Sequence, residues 1–105
     1  MITCNENNIR DIIDENTFVV VQFGKSFCSP CKQLKPKIEK LSIDNPSIIF
    51  AYVDIENTQD FCVECEVLSV PTIIAYYNSI EIGRVIGNNE ILVKELIKKI
   101  YIKAP

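Results

Sequence analysis

Phe23-Gly24-Lys25-Ser26-Phe27-Cys28-Ser29-Pro30-Cys31-Lys32 carries a Cys-x-x-Cys where a hydrophobic strand gives way to a helix. Upstream, Phe18-Val19-Val20-Val21-Gln22-Phe23 is β-branched and aromatic, the composition of a buried strand. Downstream, Cys31, Leu34, Ile38 and Leu41 recur at helical spacing between lysines and glutamates. Cys28 therefore falls at a helix N-terminus, where unpaired N–H groups and the macrodipole stabilise an anion. That environment lowers a thiol pKa, and the thiolate is the nucleophilic form. Cys31, three residues on, lies close enough to close a disulfide and expel whatever Cys28 has captured. Pro30 suits a helix start, because its missing N–H has no helical partner to lose there. The stretch reads as a redox site, against the alternatives of a half zinc site or two core thiols.

The same residues resemble the thioredoxin family through nearly the whole chain. The strand, the aromatic Phe27, Cys28-Ser29-Pro30-Cys31-Lys32 and Pro36 five residues after Cys31 follow the family pattern. Val70-Pro71-Thr72 matches its second hallmark, a cis-proline turn opposite the disulfide. The resemblance implies an α/β thioredoxin fold, with a central mixed β-sheet flanked by helices on both faces. It implies one domain over residues 1–105 and thiol–disulfide exchange with no bound cofactor beyond a Cys28–Cys31 disulfide. It also implies a thioredoxin reductase-type electron donor and client proteins that carry disulfides.

Composition bounds the reading. With 105 residues, 48% hydrophobic and 24% charged, the chain has room for one modest core. A net charge of −3 argues against nucleic acid or an anionic membrane as partner, and no apolar run approaches spanning length. The expected form is a monomer. Met1–Glu6 lacks the basic and apolar regions of a signal peptide, so the cytoplasm is the expected compartment. Five cysteines cannot all pair internally, and the absence of histidine excludes Cys–His catalysis and a mixed Cys/His zinc site within this chain. Tryptophan is absent too, so the family's usual aromatic neighbours of the disulfide are missing.

Along the chain, Met1–Cys4 reads as a short edge strand and Asn7 to Asn16 as a helix with Asn5 as its cap. Phe18–Phe23 is the first central strand, and the active-site helix spans about Cys28 to Ser42 with a kink at Pro36. A turn at Asp44–Ser47 leads to a strand at Ile48–Val53. A helix over Thr58–Leu68, capped by Asn57 or Thr58, follows. Thr72–Tyr77 and Ile80–Ile86 form a hairpin around Asn78-Ser79, where the family often has glycine. Asn88 or Asn89 opens a last helix whose inward stripe is Ile91, Leu92, Leu96, Ile97 and Ile100.

Carried over residue by residue, the resemblance makes Cys28 the nucleophile and Cys31 the resolving thiol. Pro71 shields the sulfurs from metal ions, and a cis bond before it exposes the Val70 backbone to an extended peptide. Phe27, Ile55, Val70, Ile86 and Gly87 form the rim of the substrate groove, with a core role the alternative for Ile55 and Ile86. Three departures stand out. Ser29 replaces the family's common glycine, either hydrogen-bonding a thiolate or facing solvent, and leaves the reduction potential open. Gly24-Lys25-Ser26-Phe27 replaces an aromatic-rich approach, which bears on reductase docking. Gln22 stands where the family places a buried aspartate as acid/base for the resolving thiol, and Tyr52 replaces that aspartate's lysine neighbour. Glutamine exchanges no proton at neutral pH and a tyrosine with pKa near 10 is a poor base, so Cys31 is expected to lose its proton to water or to a substrate group. Losing a buried carboxylate also favours the folded state. Lys32 adds positive charge nearby or is simply solvated.

Cys62 and Cys65 form a second Cys-x-x-Cys, read as packing residues with regulatory oxidation or intermolecular crosslinking as the alternatives. Four thiolates suit zinc, but the helix and core strand between Cys31 and Cys62 argue against a shared site, so no metal is expected. Cys4 is expected to play no part. The rivals to a disulfide reductase are a more oxidising exchanger or isomerase, and a binding subunit without turnover.

Overall fold

Alternation along the strand Phe18–Gly24 (β2) divides the core into two halves. Val20 packs with Leu34, Ile38, Phe50, Ile73, Leu96 and Ile100 on one face of the sheet, whereas Val19, Val21 and Phe23 pack with Ile9, Ile13, Val53, Phe61 and Ile74 on the other. The computed structural model describes residues 1–103, so the predicted domain limit at Pro105 lies outside the described residues. The remaining elements are β1 (Ile2–Cys4), α1 (Ile9–Glu15), α2 (Ser29–Asp44), β3 (Ile49–Asp54), α3 (Gln59–Glu64), β4 (Thr72–Tyr77), β5 (Ile80–Ile86) and α4 (Glu90–Lys103), with a 3-10 turn at Ile55–Asn57. The five strands lie in the order β1-β3-β2-β4-β5. β1, β3 and β2 are parallel, while β4 and β5 join antiparallel, so the expected mixed sheet is present. Helices α2 and α4 cover one face, α1 and α3 the other. Among the described residues no helix is long and apolar enough to cross a membrane.

Three expectations need correcting. Helix α1 begins at Ile9 rather than Asn7, after an Asn-rich turn. Asn5 still caps that turn: its Oδ1 accepts the Asn7 N–H at 2.9 Å, and its carbonyl accepts the Ile9 N–H at 3.1 Å.

Helix α3 ends at Glu64, four residues before Leu68. The Val67 N–H reaches the Cys62 carbonyl and the Glu66 N–H the Val63 carbonyl, with Glu66 in the left-handed region at φ 56°. This is a Schellman cap built without glycine, and so without its usual sequence signal. Neither predicted side chain caps the other end, since the Thr58 hydroxyl donates back to the Asp54 carbonyl at 2.8 Å.

In α4 the buried stripe is Val93, Leu96, Ile97 and Ile100, while Ile91 (73% exposed) and Leu92 face outward. At 100° per residue Ile91 falls on the far side of the helix from that stripe. Asn89 opens the helix by accepting the Leu92 N–H at 3.1 Å.

The β4–β5 hairpin lies where predicted, with Asn78 and Ser79 both at positive φ. Helix α2 includes Pro36 without a break.

Candidate active site

Cys28 is the N-cap of α2, extended at φ −130° and ψ 102°, and its Sγ accepts the Cys31 backbone N–H at 3.2 Å. A sulfur so placed sits on one of the helix's otherwise unpaired donors, which favours the thiolate once the pair is reduced. Pro30 lies in the first turn, where no bond depends on its nitrogen. Cys28 and Cys31 form a disulfide with Cα atoms 5.3 Å apart. The Val70–Pro71 peptide is cis.

The two cysteines line different openings. Cys28 borders a groove of about 550 Å³ with Phe27, Pro30, Ile55, Leu68 and Val70. Phe27 and Leu68 are 93% and 96% exposed, an apolar rim kept open to solvent. Of the predicted rim, Phe27, Ile55 and Val70 meet here. Ile86 and Gly87 lie beside it instead: Ile86 is exposed and pairs with Thr72, and the Gly87 N–H donates to the Pro71 carbonyl at 2.8 Å. Ile86 is thus no core residue. Gly87 at φ 101° is a backbone position that favours glycine. Leu68 was missed because its position was assigned to a longer helix. Ser29 is exposed, and among the described residues its hydroxyl makes no hydrogen bond to either sulfur.

Cys31 borders a second cavity, of about 280 Å³, with Lys25, Ser26, Lys32, Lys35, Tyr52 and Asp54. Gln22 faces the α2 side of the sheet in register with Tyr52 on β3 and Ile73 on β4. It is fully buried; its Nε2 donates to the Cys31 carbonyl at 3.4 Å, and its Oε1 has no partner among the described residues. Burial, and then the charge of Asp54, push the Tyr52 phenol up, so it stays protonated at neutral pH. A Cβ on Gly24 would stand 2.7 Å from the Tyr52 hydroxyl. The tyrosine ring occupies the space that an aromatic residue at position 24 would need. Lys35, missed in the sequence reading, holds its Nζ 4.3 Å from the centre of that ring. Its place four residues after Cys31, on the same helix face, was the available signal.

The second cysteine pair lies across the sheet. Cys62 is buried with its Sγ 3.5 Å from the Thr58 hydroxyl, and the half-buried Cys65 has its Sγ 3.4 Å from the Tyr76 hydroxyl. Burial pushes both thiols up, which disfavours the reactive thiolate. Among the described residues no group of three or more acidic, cysteine or histidine side chains is arranged to hold a metal ion.

A helix-capping cysteine with its partner one turn deeper exchanges a dithiol for a disulfide, and the mixed sheet that carries the pair has the thioredoxin topology. The molecule is a thiol–disulfide oxidoreductase of thioredoxin fold. Comparison with known proteins narrows the class. The Thioredoxin family model matches residues 1–100. Thioredoxin of Echinococcus granulosus is 36% identical over 86 residues, covering 82% of this chain and 80% of the relative. The oxidised form of mitochondrial thioredoxin 3 from Saccharomyces cerevisiae superposes with a TM-score of 0.88 at 30% identity, covering 94% of each chain. A Plasmodium falciparum thioredoxin structure gives a TM-score of 0.90 at 27% identity, covering 94% of this chain and 98% of that one. The chain belongs to the thioredoxin family, whose members work through a redox-active disulfide with no further cofactor.

Proposed function

We propose that this chain acts as a monomeric, single-domain reductant of client-protein disulfides, with Cys28 attacking and Cys31 resolving. The observation that carries the assignment is the capping of α2 by Cys28 Sγ at the edge of the apolar groove, while Cys31 lines the cavity behind. An extended client segment lies along Phe27, Ile55, Leu68 and Val70 and presents its disulfide to Cys28. Cys28 forms a mixed disulfide; Cys31 then displaces the client as a thiol, and a thioredoxin reductase-type donor reduces the resulting Cys28–Cys31 bond. Three free thiols at Cys4, Cys62 and Cys65 suit a reducing compartment, which supports the cytoplasm as the site of action. The net charge of −3 favours proteins over nucleic acid or anionic membrane as partners. Cys62 and Cys65 serve packing rather than turnover.

The test is mechanism-based trapping on a disulfide-containing protein. Cys31→Ser should accumulate a mixed disulfide at Cys28, found by mass spectrometry, and Cys28→Ser should trap nothing. Trapping through Cys62 or Cys65 instead would overturn the assignment.

A further inference from the structure

Gln22, buried beneath Cys31 with its Nε2 on the Cys31 carbonyl, is a neutral amide and gives the resolving thiol no acid–base help. The charged and titratable groups around Cys31 come from each neighbouring element. Helix α2 contributes Lys32 and Lys35, the β2–α2 loop Lys25, and β3 the protonated Tyr52 and the carboxylate of Asp54. β2 contributes only the neutral Gln22. Three lysines and one aspartate thus line a small cavity that has Cys31 in its wall. Of the three lysines, Lys32 and Lys25 are exposed, whereas Lys35 is half-buried, one turn from Cys31 and held over the Tyr52 ring. Gly24 is what admits that ring.

We propose that Lys35 is a positioning residue that activates Cys31 electrostatically: its ammonium, seated on Tyr52, stabilises the Cys31 thiolate across the cavity and replaces acid–base help from a buried carboxylate. The inference rests on the reading of Cys31 as the resolving thiol. Cys31 loses its proton to water in the cavity, and its thiolate attacks Cys28 Sγ in the mixed disulfide. The Cys28–Cys31 bond forms as the Cys28–client bond breaks. Two electrons pass to the client sulfur, which leaves as a thiolate and takes a proton from solvent. A positive charge beside the thiolate lowers the pH at which this step becomes fast. A neutral amide at position 22, unlike a carboxylate, does not oppose it.

The experiment mixes reduced protein with the aromatic disulfide 5,5′-dithiobis(2-nitrobenzoate) and follows thiolate release by stopped flow from pH 5 to 10. The first phase reports attack by Cys28 and the second reports displacement by Cys31; a Cys28→Ser/Cys31→Ser control removes the signal of the other thiols. Lys35→Met should move the midpoint of the second phase to higher pH and slow it about three- to tenfold at pH 7, with the first phase unchanged. Lys35→Arg should restore the midpoint, and the exposed-lysine control Lys37→Met should leave it alone. In the unmodified protein, raising salt from low to about 1 M should move the same midpoint upward. An unmoved midpoint in Lys35→Met, or a salt-independent one in the unmodified protein, overturns the inference while leaving the redox assignment standing. Release of only one equivalent of thiolate from the Cys28–Cys31 pair in the unmodified protein would overturn both.

Discussion

Replacing Gln22 by methionine should stabilise this protein. Its side chain is fully buried beneath α2, yet it has one hydrogen bond, a long one of 3.4 Å from Nε2 to the Cys31 carbonyl. Its Oε1 is buried without a partner among the described residues. A buried acceptor left unpaired costs about 1–3 kcal/mol, whereas a typical hydrogen bond returns about 0.5–1.5 kcal/mol, and a long one falls at the low end. The Cys31 carbonyl loses little, since as a residue of the first turns of α2 it is placed to accept the N–H of Lys35 four residues on. Methionine matches the volume of glutamine and fills the same space without polar atoms. The balance is a gain of about 1 kcal/mol. With a urea slope of about 1–3 kcal/mol/M for a small protein, the unfolding midpoint should rise by roughly 0.3–1 M, at unchanged slope. Urea titration of the oxidised protein, followed by far-UV circular dichroism, measures it. A loss of 1 kcal/mol or more would refute the reasoning, because Gln22 would then be fully satisfied.

Two further outcomes follow from the packing. Glu66 is exposed and left-handed at φ 56°, so Glu66→Gly should raise stability by about 0.5–1 kcal/mol in the same titration despite the added freedom of the unfolded chain; a loss would refute the cap geometry. Burial pushes the thiols of Cys4, Cys62 and Cys65 up, so in the alkaline range the unfolded chain gives up protons that the folded one keeps. In a reduced Cys28→Ser/Cys31→Ser background this stabilisation should be complete below about pH 8.5 and lost as pH climbs through the folded-state values. Removing the three thiols as well should flatten that slope, and an unchanged slope would place its origin elsewhere.

Much of the molecule was legible because its signals are local. The β-branched run at Phe18–Phe23, the helical spacing of Cys31, Leu34, Ile38 and Leu41, and the Val70-Pro71 pair each declare an element within a few residues. Both hairpin strands fell where the pattern put them. The early stop of α3 was not legible, since its cap uses glutamate at a position where glycine is the usual sign. The α4 stripe was misread at its start, because Ile91 and Leu92 are as apolar as the residues that pack and only the helix's rotation against the sheet decides which face inward.

Sequence alone determined the chemistry: two thiols at a helix start require no distant partner to be recognised as a redox pair. It also identified Gln22 and Tyr52 as departures in the strands beneath that pair. Only the tertiary structure decided what surrounds each sulfur. Leu68 joins Phe27 across the groove, and Lys35 joins Tyr52 over the space left by Gly24, through chain segments far apart in sequence. The electrostatic environment of Cys31 depends on distances between side chains of α2, β3 and the β2–α2 loop, and those distances exist only once the sheet has paired and the helix has packed upon it.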